Sequence, residues 1–169
     1  QALFDLGSSL CSPRQPACGL CPWQAVCAGH AQGTAATLPR KTPKAERPVR
    51  HGVHFMVMDA AGYVLLRKRP ETGLLAAMTE LPGTAWRTEP WAEAEALAQA
   101  PTAAQWARAG VVKHVFTHFT LYVVVYAARV ERFANTDVAQ GFLLPVAQAK
   151  TASLPSIMQK CMTAGYDFL

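Results

Sequence analysis

The sequence predicts an α+β chain whose larger part is a mixed αβα sandwich. Three observations predict it. Residues 51–68 read as a β-hairpin, residues 114–131 are rich in β-branched and aromatic side chains, and helical patterns lie between and after these strands. Hydrophobic residues make up 51% of the 169, enough for a proper core, and no run of eighteen apolar residues offers a membrane span.

Taken in order, residues 1–30 form a first part. Leu3, Leu6 and Leu10 recur at i, i+3 and i+7, the spacing of one helical face, and a cysteine-rich loop follows. Residues 31–50, "AQGTAATLPRKTPKAERPVR", read as a linker, with three prolines, five basic residues and almost nothing to bury. Residues 51–169 form the compact second part. "HGVHFMVMD" reads as a strand, Ala60-Ala61-Gly62 as a turn, and "YVLLRKRP" as the returning strand. "PWAEAEALAQA" reads as a helix begun near Pro90, and "HVFTHFTLYVVVYAARVE" as one long strand region. "LPSIMQKCMTAG" reads as a closing helix with Pro155 near its start and Gly165 near its end. Cys161 on that helix reads as a small buried hydrophobe. His30, His51 and His54 form no pattern. There is no internal repeat, and a chain that opens on Gln1 with no basic signal region reads as the middle of a longer protein.

Charge is unevenly placed. Residues 1–50 hold six basic and two acidic side chains, or +4 of the +5 total, whereas residues 51–169 hold ten and nine. The excess sits on the cysteine segment and linker and suits a polyanionic partner; a solvated basic linker is the plainer alternative. Four of the five cysteines fall between Cys11 and Cys27, spaced C-x6-C-x2-C-x5-C. A two-residue gap speaks for metal over disulfides. Four thiolates satisfy zinc, but zinc sites commonly pair two C-x2-C knuckles and only one is present; an iron–sulfur cluster takes four thiolates with more varied loops.

The spacing, preceded by "ALFDLGSSLC", resembles the cluster loop that ends the catalytic domain of helix-hairpin-helix DNA glycosylases. That resemblance implies a 4Fe–4S cluster on Cys11, Cys18, Cys21 and Cys27. With a linker and roughly 120 residues following, the whole chain is similar to the C-terminal part of adenine glycosylases of the MutY type, whose extra domain has the shape of a Nudix hydrolase. The fold this implies is a short helical iron–sulfur segment, a linker, then a Nudix-like αβα sandwich with a mixed sheet. Arg14, in the "SPRQPA" loop, is then the residue to meet a DNA phosphate, with Lys41 and Lys44 of the linker as further backbone contacts.

A working Nudix box, G-x5-E-x7-R-E-U-x-E-E-x-G-U, gathers glutamates around magnesium. Counted from Gly73, its first glutamate falls on Thr79 and its last two on Trp91 and Ala92. Counted from Gly83, Glu89 fits, but Ala98, Pro101 and Thr102 occupy the later carboxylate positions. The box is degenerate, Glu93 and Glu95 read as helix-surface acids, and Leu74, Leu75, Met78 and Leu81 of "GLLAAMTELPG" read as core. In the glycosylases that this chain resembles, a Phe-Ser-His loop before a long strand reads 8-oxoguanine; here Phe116, Thr117 and His118 stand in its place, threonine replacing serine. Threonine keeps the hydroxyl, which both donates and accepts, and an aromatic neighbour can stack at a base step.

The resemblance therefore implies base-excision repair: part of an A/G-specific adenine glycosylase that binds double-stranded DNA carrying 8-oxoguanine:adenine or guanine:adenine mispairs. The excision residues are expected in the parent enzyme, upstream of residue 1. A monomer without membrane attachment is expected, cytoplasmic and nucleoid-associated. The competing expectation is a Nudix-type nucleotide hydrolase with an attached metal module.

Overall fold

The computed structural model describes residues 1–42, 46–139, 141–151 and 154–169. The chain divides into two compact units, Gln1–Glu46 and Arg47–Leu169, and the boundary falls inside the basic, proline-containing stretch.

The first unit contains α1 (Ala2–Ser9), single 3-10 turns at Cys18–Leu20 and Gln24–Val26, the short α2 (Ala28–Ala31) and a 3-10 turn at Ala35–Thr37. The leucine spacing folds as a helix, yet α1 buries no residue, and Leu3 and Phe4 are exposed. Main-chain hydrogen bonds hold the loop that follows. The N–H groups of Leu10 and Cys11 both donate to Leu6 O, and Ala17 N–H donates to Leu10 O at 2.8 Å.

Among the described residues the second unit holds one six-stranded mixed sheet: β1 (Val49–Asp59), β2 (Tyr63–Lys68), β3 (Thr79–Glu80), β4 (Ala107–Val115), β5 (Thr120–Val130) and β6 (Phe142–Pro145). Its order is β3-β2-β1-β5-β4, with β6 also pairing β2. The predicted β1–β2 turn forms because the Asp59 carboxylate accepts from the N–H groups of Ala61 (3.0 Å) and Tyr63 (2.8 Å). β1 and β5 run parallel from Val49↔Thr120 to Asp59↔Val130. Both are nearly continuous apolar runs, as strands covered on two faces must be. On one face α6 (Ser156–Phe168) packs Ile157, Met158, Cys161 and Met162 against Met56, Leu121, Val123 and Val125. On the other, α3 (Glu93–Leu97) brings Ala96 to Val53, Phe55 and Tyr126, flanked by Trp91 and Trp106. These layers make the expected αβα sandwich. The connections into and out of β6 carry α4 (Asn135–Val138) and α5 (Val146–Thr151). No helix among the described residues is long and apolar enough to cross a membrane.

Three expectations change. The long strand region is two strands: Phe116 N–H donates to Phe119 O at 2.9 Å, closing a tip between β4 and β5. The helix near Pro90 starts only at Glu93, because Trp91 is tied back by its Nε1–H to Ala85 O (3.0 Å) and by the Arg87 guanidinium 3.8 Å above its ring. Leu74 and Met78 are exposed, not core. Gly73, Leu75 and Ala77 all have positive φ, so the segment is an irregular loop in which only Leu81, beyond it, is fully buried and Leu75 is half-buried.

Candidate nucleic-acid interface

In the first unit Cys11, Cys18, Cys21 and Cys27 all line one small pocket, closed by Leu10, Pro16 and Ala35 with His30 at its wall. None is in a disulfide. No three His, Cys, Asp or Glu side chains among the described residues converge as a single metal ion would require. Arg14 and Lys41 are brought together: both line a second surface pocket with Pro13, Thr37 and Pro39, and both are exposed. Arg14 holds φ at 74°, a conformation that glycine adopts more readily. Lys44 lies outside the described residues.

In the second unit Phe116, Thr117 and His118 are consecutive on the β4–β5 tip. Thr117 and His118 are exposed and make no hydrogen bond within the described chain, whereas Phe116 is half-buried. Its ring stacks on Phe119 (4.7 Å between centroids) and lies 5.9 Å from Trp86, with His114 edge-on at 4.6 Å. Two guanidinium groups close the ends of this stack: Arg50 4.7 Å over Phe119 and Arg69 4.7 Å over Trp86. Sheet register makes the first contact, since Arg50 is paired with Leu121, two residues from Phe119 on the same face.

Beneath Trp86 lies a polar network that sequence reasoning missed. Glu80 is 1% exposed and accepts from Arg67 Nε at 2.8 Å and from Arg69. Arg67 also donates to Gly83 O at 2.8 Å. His54 is fully buried on β1, and burial pushes its imidazole down from the ordinary value of 6.5, with the opposing pull of Glu80 second in size. Its Nδ1 lies 2.9 Å from Leu81 O, an acceptor, so Nδ1 carries the hydrogen and the bare Nε2 accepts from Trp86 Nε1–H at 3.4 Å. The signal was faint: a histidine inside an apolar strand and a charge just before "LPG".

A sequence profile of the NUDIX domain matches residues 53–164, more than half of the chain. The chain belongs to the NUDIX domain family. Among similar proteins, rat adenine DNA glycosylase is 24% identical over 213 aligned positions, covering 95% of this chain and 41% of its own length. Human adenine DNA glycosylase is 26% identical, covering 78% of this chain and 33% of its own length. The chain thus spans less than half the length of these relatives. Among solved structures, the C-terminal domain of mouse MUTYH, determined in complex with human PCNA, superposes with a TM-score of 0.59 at 24% identity over 70% of this chain and 88% of that one. A MutT protein from Methanosarcina mazei Go1 superposes at 0.57 and 16% identity, over 73% and 97%. The NUDIX fold is therefore shared with hydrolases, but the box is not. Gly83 lies just after β3, and in the register counted from it the positions of the later carboxylates are Ala98, Pro101 and Thr102, at and beyond the end of α3. Of the two acids on α3, Glu95 is already paired with Arg87 through two hydrogen bonds of 2.6 and 2.7 Å.

Proposed function

We propose that this chain is the DNA-binding, damage-reading part of an adenine DNA glycosylase acting in base-excision repair. Such an enzyme removes adenine mispaired with 8-oxoguanine or guanine. The observation that carries the reading is the span of the relatives: similarity to adenine DNA glycosylase runs over 95% of the chain, through the cysteine unit and the NUDIX domain together. Excision itself, with flipping of the adenine, belongs on this reading to a part of the enzyme that these residues do not include.

8-Oxoguanine carries an oxygen on C8 and a hydrogen on N7 that guanine lacks. The Thr117 hydroxyl can donate to the one or accept from the other, and it is exposed with no partner of its own. Phe116 anchors the tip from the aromatic stack, and the exposed His118 beside it would meet a phosphate or support the loop. In the first unit Arg14 and Lys41, with Lys44, supply phosphate contacts that ignore sequence.

Four thiols around one small pocket match the donor set of an iron–sulfur cluster, and a single C-x2-C pair departs from the two paired knuckles common in zinc sites. Cys11, Cys18, Cys21 and Cys27 would hold it. When bound, the group fastens by covalent ligation a loop too short and polar to fold by burial. Its chemical test is iron and acid-labile sulfide content with visible absorption; stoichiometric zinc in a colourless protein would replace the cluster assignment.

The functional test is binding of the chain at fixed salt to 8-oxoguanine:adenine and guanine:adenine duplexes, read by fluorescence anisotropy. Tighter binding to the oxidised duplex is expected. Equal binding would leave a sequence-blind DNA contact and remove lesion reading from this chain.

A further inference from the structure

The aromatic stack is continuous through five side chains: Arg50, Phe119, Phe116, Trp86 and Arg69, each contact between 4.7 and 5.9 Å. Phe119, 8% exposed, ties this row to the apolar core, and Trp86 ties it to the buried polar network. Its Nε1–H reaches His54, its one neighbour Arg69 is fixed by the buried Glu80, and its other neighbour is Phe116. The indole also lies directly on the β1 backbone. A Cβ placed on Gly52 would stand 2.6 Å from Trp86 Cδ1 and 3.1 Å from Nε1, so glycine is required there for the ring to sit as it does. Thr117 and His118 make no hydrogen bond or ring contact within the described chain, and besides the Phe116 N–H to Phe119 O bond the tip is held through its two phenylalanines.

We propose that Trp86 is the positioning residue of the Phe116–His118 tip, and that Gly52 is the residue that admits it. This rests on the lesion-reading role of the tip and adds to it a specificity determinant far away in sequence. Trp86 is not expected to touch the lesion. It sets where the Thr117 hydroxyl stands, and a hydroxyl displaced by a fraction of an ångström loses its fit to one base edge without altering contacts to phosphates. Selectivity should then depend on Trp86, and general DNA affinity should not.

Three variants of the full chain test this: Trp86→Leu removes the aromatic ring, Trp86→Phe keeps one six-membered aromatic ring for stacking and loses the fused ring with its N–H, and Gly52→Ala leaves Trp86 in the sequence but drives a methyl into its seat. Trp86→Leu and Gly52→Ala are expected to cut the preference for the oxidised duplex by up to about fivefold, the loss expected from removing the Thr117 hydroxyl itself, while guanine:adenine affinity stays within about twofold. Trp86→Phe should retain most of the preference. In the free protein, amide order parameters of residues 115–119 should fall in the first two variants and hold in the third. If Trp86→Leu does not fold, Gly52→Ala decides alone, because Trp86 is only half-buried and can swing outward. A wild-type preference that survives Gly52→Ala with an ordered tip overturns the role of Trp86 and leaves lesion reading intact. A wild-type chain that binds both duplexes alike overturns lesion reading and this proposal with it.

Discussion

Replacing Thr117 with alanine separates recognition from stability, because the two readouts should move independently. The side chain is exposed and its hydroxyl has no partner within the described chain, so its loss removes no folded-state hydrogen bond. The folding stability should change by less than about 0.5 kcal/mol, the ordinary range for a surface substitution. Binding is different. Leaving a polar edge of a docked base unpaired costs about 1–3 kcal/mol, or roughly fivefold to 150-fold in affinity ratio. The lower end applies here, since a tip this exposed lets water approach the abandoned edge, and about fivefold is expected. Thr117→Ser keeps the hydroxyl and loses a methyl that restricts its χ1, so its preference should stay within about twofold of wild type. The assay is anisotropy titration on the two duplexes at one salt concentration, beside urea unfolding of each variant. Equal weakening on both duplexes, or a stability loss above about 1 kcal/mol, would refute the reasoning and make Thr117 a structural residue.

Gly165→Ala should destabilise the NUDIX domain: the added methyl would meet the Cβ of buried Met56 at 2.5 Å, and overpacking of about 1–3 kcal/mol outweighs a helix-propensity gain of at most about 1 kcal/mol. Urea midpoints check this, and an unchanged midpoint would mean that α6 yields freely. His54 should make stability acid-sensitive. Unfolded, it takes up a proton near 6.5, and folded only at lower pH, so the unfolded state binds more protons between the two values; stability is full above about 6.5 and falls below it, by at most about 1.4 kcal/mol per pH unit. His114 is also lowered and acts with the same sign, so the measurement is made in a His114→Gln background, and a flat profile from about pH 7 to 5 would contradict a buried neutral His54. Arg14→Ala and Lys41→Ala should each lower the salt slope of DNA binding by about one and weaken both duplexes alike; an unchanged slope would mark them as solvated charges.

The parts legible in the sequence were those whose cause is local. The cysteine spacing needs only seventeen residues, and β1 and β5 announce themselves by nearly continuous apolar runs. The tip between β4 and β5 was read as strand because Phe116, Thr117 and Phe119 are all good strand formers, and no glycine, proline, asparagine or aspartate marks the turn. The resemblance pointed to three consecutive residues on this tip, but the stack beneath them joins positions 50, 69, 86, 116 and 119. These meet only once β1 and β5 pair in register and the turn after β3 folds back over β1, which no periodicity along the chain reveals. Glu80 was passed over for the same reason: its importance comes from Arg67 and Arg69 on the neighbouring strand and loop, not from its own segment.

The loss of the box and the proposed DNA contact follow from one electrostatic requirement. A hydrolase box concentrates carboxylates that magnesium must neutralise, and such a cluster at a DNA-facing surface would repel phosphates whenever the metal left. In this NUDIX domain the later box positions are neutral, Ala98, Pro101 and Thr102, and two neighbouring acids are individually matched: Glu80 by Arg67 and Arg69, Glu95 by Arg87. Around the tip the charges that remain unmatched by acids are of the other sign. Arg50 lies on the stack, and Lys113 is exposed 5.5 Å above Tyr122 on the opposite face of β4 and β5. On the proposed reading the αβα sandwich is the mount, and the hairpin at the sheet's edge, supported from the buried Glu80–Arg69–Trp86 chain, would present the Thr117 hydroxyl to a base.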